Sequence, residues 1–121
     1  MSDPVSTLPT AHPAPFEVRV GTEPDGLSTI TVRGELDLAT APQLAEALSD
    51  GVLGPCRRVL VDLREVTFLD SSGVGTLVAA RKQLASRDTH LALRCLDGPV
   101  TRILTVTGLL EVLDVTVDRP A

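Results

Sequence analysis

The sequence predicts an α/β domain with a mixed, mainly parallel sheet of four to five strands and about three to four helices. Strand-like and helix-like segments alternate from residue 27 onward, the pattern of parallel strands joined by helical crossovers. At 121 residues the chain is one domain long. Its apolar residues are aliphatic: Phe16 and Phe68 are the only aromatics, so Leu, Val, Ile and Ala must build the core.

Residues 1–15 carry Pro4, Pro9, Pro13 and Pro15 and show no apolar period. Proline neither continues a helix nor donates to a ladder, so this stretch reads as a flexible tail and the domain as residues 16–121. Residues 16–21 and 27–36 read as strands separated by the turn Glu23-Pro24-Asp25-Gly26. In the second strand Ile30 and Val32 alternate with Thr31 and Arg33, the period of a half-buried strand.

Thr40-Ala41-Pro42-Gln43 opens a helix. Thr40 is expected to cap it, Gln43 to reach back, and Pro42 to sit in the first turn, where no N–H is missed. Leu44, Ala47, Leu48 and Val52 continue at helical spacing until Gly51 and Gly54-Pro55 end the element. Residues 58–63 are nearly continuously apolar, as expected for a strand covered on both faces.

Asp70-Ser71-Ser72-Gly73 leads into a helical stripe of Val74, Leu77, Val78, Arg81 and Leu84, running to about residue 87. Leu91, Leu93 and Cys95 alternate as a strand. Asp97-Gly98-Pro99 caps a third helix carrying Val100, Ile103 and Leu104, which Gly108 stops. Leu113, Val115 and Val117 form a last strand with one wet face.

Composition excludes several functions. A net charge of −5, without clustered basic residues or aromatic platforms, argues against nucleic acid. No stretch approaches the ~18 apolar residues that span a bilayer, so no membrane association is expected. Met1-Ser2-Asp3-Pro4 has neither the basic start nor the apolar run of a secretory signal, which makes the cytoplasm the expected location. Cys56 and Cys95 read as free thiols, and with only His12 and His90 a zinc cluster lacks ligands. No cofactor or metal is expected.

Nor does the sequence offer a catalytic site. His90, at a strand start, is expected in a buried or capping role. Leu69-Asp70-Ser71-Ser72-Gly73 lacks the leading Gly of a nucleophile elbow. Gly73-Val74-Gly75 lacks the third Gly of a dinucleotide fingerprint, and no phosphate-binding loop precedes Lys82. Glu35, Asp37, Asp62 and Asp70 lie on different elements, as solvated edges and helix caps do.

One segment asks for more than capping. Asp70 suits a helix N-cap, and Ser71 and Ser72 suit a first turn. Gly73 and Gly75, however, each cost about 1 kcal/mol relative to Ala in a helix. A first turn so stripped of side chains leaves a low surface, open to another protein and to a modifying enzyme. A phosphate on Ser71 would meet free backbone N–H groups and the helix dipole. It would also add nearly two negative charges beside Asp70.

Gly34-Glu35-Leu36-Asp37, Thr40-Ala41-Pro42, Val61-Asp62-Leu63, Phe68-Leu69-Asp70-Ser71-Ser72-Gly73-Val74-Gly75 and Thr107-Gly108-Leu109 together resemble the bacterial anti-sigma-factor antagonists, which are single STAS domains. The resemblance covers most of residues 16–118. It implies partner switching: the unphosphorylated antagonist binds an anti-sigma factor that is also a serine kinase, and so frees a sigma factor for transcription. It implies Ser71 as phosphoacceptor, with Ser72 the runner-up, and a PP2C-type phosphatase that restores the active form. Asp37 matches the acidic residue of the upstream loop beside the site. Asp37, Asp70, Ser71, Ser72, Gly73 and Gly75 are thereby implied as partner-binding, while ATP and magnesium belong to the kinase. The alternatives are a STAS scaffold module that is never phosphorylated, and a small α/β enzyme, which the absent base and phosphate loop disfavour.

Overall fold

The computed structural model describes residues 15–119, so the expected tail lies almost wholly outside the described residues. Strands β1 (Glu17–Thr22) and β2 (Leu27–Leu36) form an antiparallel hairpin. Strand β3 (Arg58–Leu69), β4 (His90–Leu96) and β5 (Asp114–Asp118) then add in parallel, giving the order β1-β2-β3-β4-β5. The connections carry helices α1 (Ala41–Ala47), α3 (Ser71–Ala85) and α4 (Pro99–Val106), with single-turn helices α2 (Asp50–Leu53) and α5 (Leu109–Val112). The α/β class and the mainly parallel five-stranded sheet are those the sequence predicts.

Strand β3 departs from expectation in two ways. It is twice as long, because Arg64-Glu65 and Thr67 are accommodated by register shifts against β2 between Thr31 and Arg33 and between Gly34 and Glu35. Two consecutive exposed charges break the alternation that would otherwise have marked the strand's second half.

It is also covered on one face only. Ile30 and Val32 of β2, Val59 and Val61 of β3, and Leu91 and Leu93 of β4 are buried. Their alternating neighbours Thr31, Leu60, Asp62, Ala92 and Arg94 are only half-buried. Parallel strands that follow one another in spatial order, joined by right-handed crossovers, send every helix to the same side. The molecule is therefore two layers, a sheet and a helix layer, with an aliphatic core between them that includes Leu36, Leu44, Leu63, Leu77, Leu84 and Leu104. Each such leucine contributes roughly 1.5–3 kcal/mol through burial.

Other local expectations fail for identifiable reasons. The first helix stops at Ala47, where the Ser49 hydroxyl donates to the Glu46 carbonyl at 2.6 Å and competes with helix continuation. Val52 accordingly belongs to α2 and is exposed. His90 is exposed rather than buried or capping, with Nε2 2.8 Å from Asp114 Oδ2 on the neighbouring strand. Gly98 rather than Asp97 stands at the N-cap of α4, and no side chain caps that helix. Gly108 does stop α4, in the left-handed region at φ 78°. Cys56 and Cys95 are free thiols.

Candidate functional site

The carboxyl ends of β2 and β3 are adjacent. Leu36 pairs with Leu69 in register, both buried, and the Asp70 N–H donates to the Leu36 carbonyl at 3.3 Å. The two loops that leave these strand ends, Asp37 to Thr40 and Asp70 to Ser71, therefore share one edge of the sheet. Parallel strands deliver their following loops, and the N-termini of the helices, to that edge.

Asp70 is in extended conformation, and its Oδ1 accepts hydrogen bonds from the backbone N–H of Ser72 at 2.9 Å and Gly73 at 3.2 Å. Two of the four orphan donors at the start of α3 are thereby satisfied by one carboxylate, so, contrary to expectation, these N–H groups are not free to meet a phosphate on Ser71 and the helix dipole alone favours it there. Ser71 is the first residue of α3 and is exposed; among the described residues its hydroxyl makes no hydrogen bond within the chain. Ser72 is half-buried instead. It lines a shallow groove of about 320 Å³ between α1 and α3, shared with Ala45, Leu48, Gly75 and Thr76.

The two glycines of the motif occupy opposite environments. Gly73 is buried, and a Cβ there would stand 2.6 Å from Leu69 Cδ1 and 2.8 Å from Leu36 Cγ. The first turn of α3 thus rests directly on the two strand ends, and a glycine makes that approach possible. Gly75 is exposed with nothing within 4 Å of a built Cβ, so internal packing does not require it.

The Asp37 turn is wired differently from the expected capping box. Asp37 Oδ1 accepts from the N–H of Ala39 at 3.0 Å and Thr40 at 3.1 Å, and the Thr40 hydroxyl donates to the Glu35 carbonyl at 2.7 Å. Thr40 makes no side-chain cap bond to α1, and the Asp37 carbonyl accepts from the Ala41 N–H at 2.8 Å. Pro42 does stand in the first turn. The signal that would have found this is Asp37 three residues before Thr40, the spacing of a short polar residue closing its own turn. Asp37 is thus held half-buried and fixed on the same edge as Ser71.

Two apolar side chains near the ends of β2 and β3 are exposed, which the sequence alone does not signal. Leu38, in the Asp37 turn, is 76% exposed, and Phe68, at the end of β3, is 48% exposed. Residues 34–56 contain Glu35, Asp37, Glu46 and Asp50, residues 65–80 contain Glu65 and Asp70, and neither stretch holds a Lys or Arg. Among the described residues no three His, Cys, Asp or Glu side chains come together as a metal site. No described helix is long and apolar enough to cross a membrane.

The family model that matches is the STAS domain, over residues 20–119. The chain belongs to the STAS-domain family. This STAS domain is 36% identical over 86 residues to an anti-sigma-B factor antagonist of Listeria monocytogenes, covering 71% of this chain and 75% of that protein. Among solved structures it is similar to an anti-sigma factor antagonist from Mycobacterium paratuberculosis, with TM-score 0.75 and 29% identity, over 84% of this chain and 85% of that one. The Bacillus cell fate determinant SpoIIAA, in its phosphorylated form, shares the fold at TM-score 0.62 and 20% identity, over 87% of this chain and 92% of that one.

Proposed function

We propose that this STAS domain is an anti-sigma factor antagonist that works as a phosphorylation switch in the cytoplasm. In its unphosphorylated form it binds an anti-sigma factor that is also a serine kinase, and a sigma factor is released. The kinase then transfers phosphate to Ser71 and the complex separates; a PP2C-type phosphatase resets it. Binding, not catalysis, is the work of this chain.

The observation that carries this function is the environment of Ser71. It is an exposed hydroxyl at the first position of a helix, without a hydrogen bond among the described residues, with Asp70 immediately before it and the Asp37 turn on the same sheet edge. A kinase needs such a hydroxyl within reach, and the helix N-terminus tolerates the phosphate once attached. Ser72 is the less accessible of the pair, because its side chain lines the groove against α1. Asp70, Ser72 and Gly75 complete the contact surface with Asp37, while Gly73 acts from beneath by setting the height of the first turn. The names of the curated relatives, and the existence of SpoIIAA in a phosphorylated form, support the same function.

The test is phosphosite mapping. The protein is incubated with ATP, magnesium and the purified anti-sigma factor kinase of its own organism, and the site is read by peptide mass. Phosphate is expected on Ser71, lost in Ser71→Ala and retained in Ser72→Ala. Phosphate that persists in Ser71→Ala and vanishes in Ser72→Ala moves the acceptor by one residue. A chain that binds the kinase and never accepts phosphate is a scaffold.

A further inference from the structure

We propose that β1 is a self-pairing edge: two copies of this chain join antiparallel along β1 about a two-fold axis, so that their five-stranded sheets run on as one. The proposal is independent of the switch function. None of Asp37, Asp70, Ser71, Ser72, Gly73 and Gly75 lies on β1 or lines the groove beside it. Strand β1 ends the sheet, and among the described residues no strand pairs with its outer side. The hairpin fixes which backbone groups face out. The Glu23 N–H donates to the Leu27 carbonyl at 2.8 Å, and the same alternation continues through Gly21–Thr29, Arg19–Thr31 and Glu17–Arg33. Antiparallel strands exchange hydrogen bonds at every second pair, so Glu17, Arg19 and Gly21 turn their N–H and C=O toward β2. Val18, Val20 and Thr22 turn theirs outward, a row of donors and acceptors that no described strand uses and that can template another strand.

Charge on an edge strand usually keeps copies apart, and here it selects a register instead. Glu17 and Arg19 stand side by side on the open face, 2.9 Å apart. In an antiparallel pair centred on Val18, Val18 meets its own copy, Glu17 meets the second copy's Arg19, and Arg19 meets its Glu17. Opposite charges directly across the strands are favourable, and the outward N–H and C=O of Val18 close the central hydrogen-bonded pair. A register centred on Arg19 sets two arginines face to face, and one centred on Val20 sets Glu17 against Glu23. The other edge lacks this property: β5 carries Asp114 and Asp118 and no Lys or Arg, so no register of β5 with itself matches opposite charges. On the helix side, Val18 and Val20 line a groove of about 480 Å³ with Pro42 and Ala47 of α1 and Val52 of α2. Val20 and Val52 are 38% and 42% exposed. The Val18-centred register places the second copy's Phe16 across from Val20, so the apolar side of β1 is covered by its own sequence in the second copy.

The experiment is sedimentation velocity of the full-length chain and three variants, with thermal melts of each. The wild type is expected to pass from monomer to dimer between about 5 and about 500 μM, the range of a small interface. Val20→Pro removes an outward N–H and no bond to β2, since an edge strand tolerates proline where the N–H faces out. It is expected to weaken the dimer by about tenfold or more. Arg19→Glu leaves only acids at positions 17 and 19, and Glu17→Arg leaves only bases. Each alone is expected to stay monomeric, and an equal mixture of the two is expected to form a heterodimer at least as readily as the wild type. A wild type that stays monomeric throughout overturns the proposal and leaves the edge to another occupant, residues 1–14 of this chain among them. A dimer that all three variants leave unchanged also overturns it, because the copies then meet on another surface. If the melts show that Val20→Pro does not fold, the charge variants decide, and a mixture without heterodimer refutes pairing through β1.

Discussion

The open face of the sheet and the edge that carries Ser71 are both polar surfaces, yet they treat charge in opposite ways. On the open face, charges come in answered pairs. Arg19 sits 2.9 Å from Glu17, Arg64 sits 2.8 Å from Asp62, Arg33 lies 3.7 Å from both Glu17 and Glu65, and Arg94 pairs with Asp118. At the edge, Glu35, Asp37 and Asp70 have no Lys or Arg in their own stretches, and Asp37 and Asp70 are bonded to backbone N–H groups instead. A face whose charges are neutralised within the chain is complete in itself. At the edge the carboxylates are spent on shaping two turns, and the Ser71 hydroxyl, which makes no hydrogen bond among the described residues, is the group the proposed switch uses.

Substitutions can break this contrast. The largest stability effect is expected within the site itself, at its two glycines. Gly73→Ala pushes a methyl group into Leu36 and Leu69 and should cost about 1–3 kcal/mol, as overpacking does. Gly75→Ala meets nothing and should stabilise the helix by about 1 kcal/mol. Urea midpoints of the two variants should therefore move in opposite directions; a shared direction would show that the first turn of α3 does not rest on the strand ends. Next in size is Asp70→Ala, which uncaps Ser72 and Gly73 and should lose about 1 kcal/mol in the same measurement. An unchanged midpoint would mean that Asp70 is kept for the partner alone.

The smallest expected effect is on the open face and is read through pH. Burial opposes ionisation of Asp62, but hydrogen bonds from the Arg64 side chain and backbone and the charge of its guanidinium outweigh it, so the carboxyl lies below its ordinary value. A depressed carboxylate stabilises the fold above its unfolded pKa, and that contribution fades as the pH falls through the folded value. Asp62→Asn should therefore flatten the acid limb of the stability curve below the ordinary carboxylate range and leave its shape near neutrality unchanged. An identical acid limb in the variant would show that the pair is an exposed ion pair of no consequence.

The same contrast explains what could be read from the sequence. The Asp70 cap was legible because it is local: the carboxylate reaches N–H groups two and three residues ahead, and the motif spells out its own geometry. The edge of β3 was not, because Arg64-Glu65 interrupt its alternation where the strand bulges against β2. Coverage of one sheet face rather than two follows from strand order, which no segment of the sequence encodes by itself. Thr40 looked like a helix cap because Gln43 follows at the right spacing, but its hydroxyl is held by Glu35 and Asp37 on the other side. The exposure of Phe68 is not legible because either of two apolar neighbours at a strand end can point inward, and the pairing of Leu36 with Leu69 settles that Leu69 does. The place of His90 is hidden for a similar reason, since its partner Asp114 is distant in sequence and met only across the β4–β5 pairing.

In the proposed switch, one phosphate on Ser71 turns a binding edge off without disturbing the fold. The most direct measurement is the dissociation constant of the anti-sigma factor kinase for the unphosphorylated chain, for the chain phosphorylated on Ser71, and for Ser71→Asp, with thermal melts of all three. Melting temperatures are expected to agree, because the dipole at a helix N-terminus favours the added charge, and affinities for both charged forms are expected to be at least about tenfold weaker than for the unphosphorylated chain. Equal affinity for the phosphorylated and unphosphorylated chains, at equal stability, would contradict it.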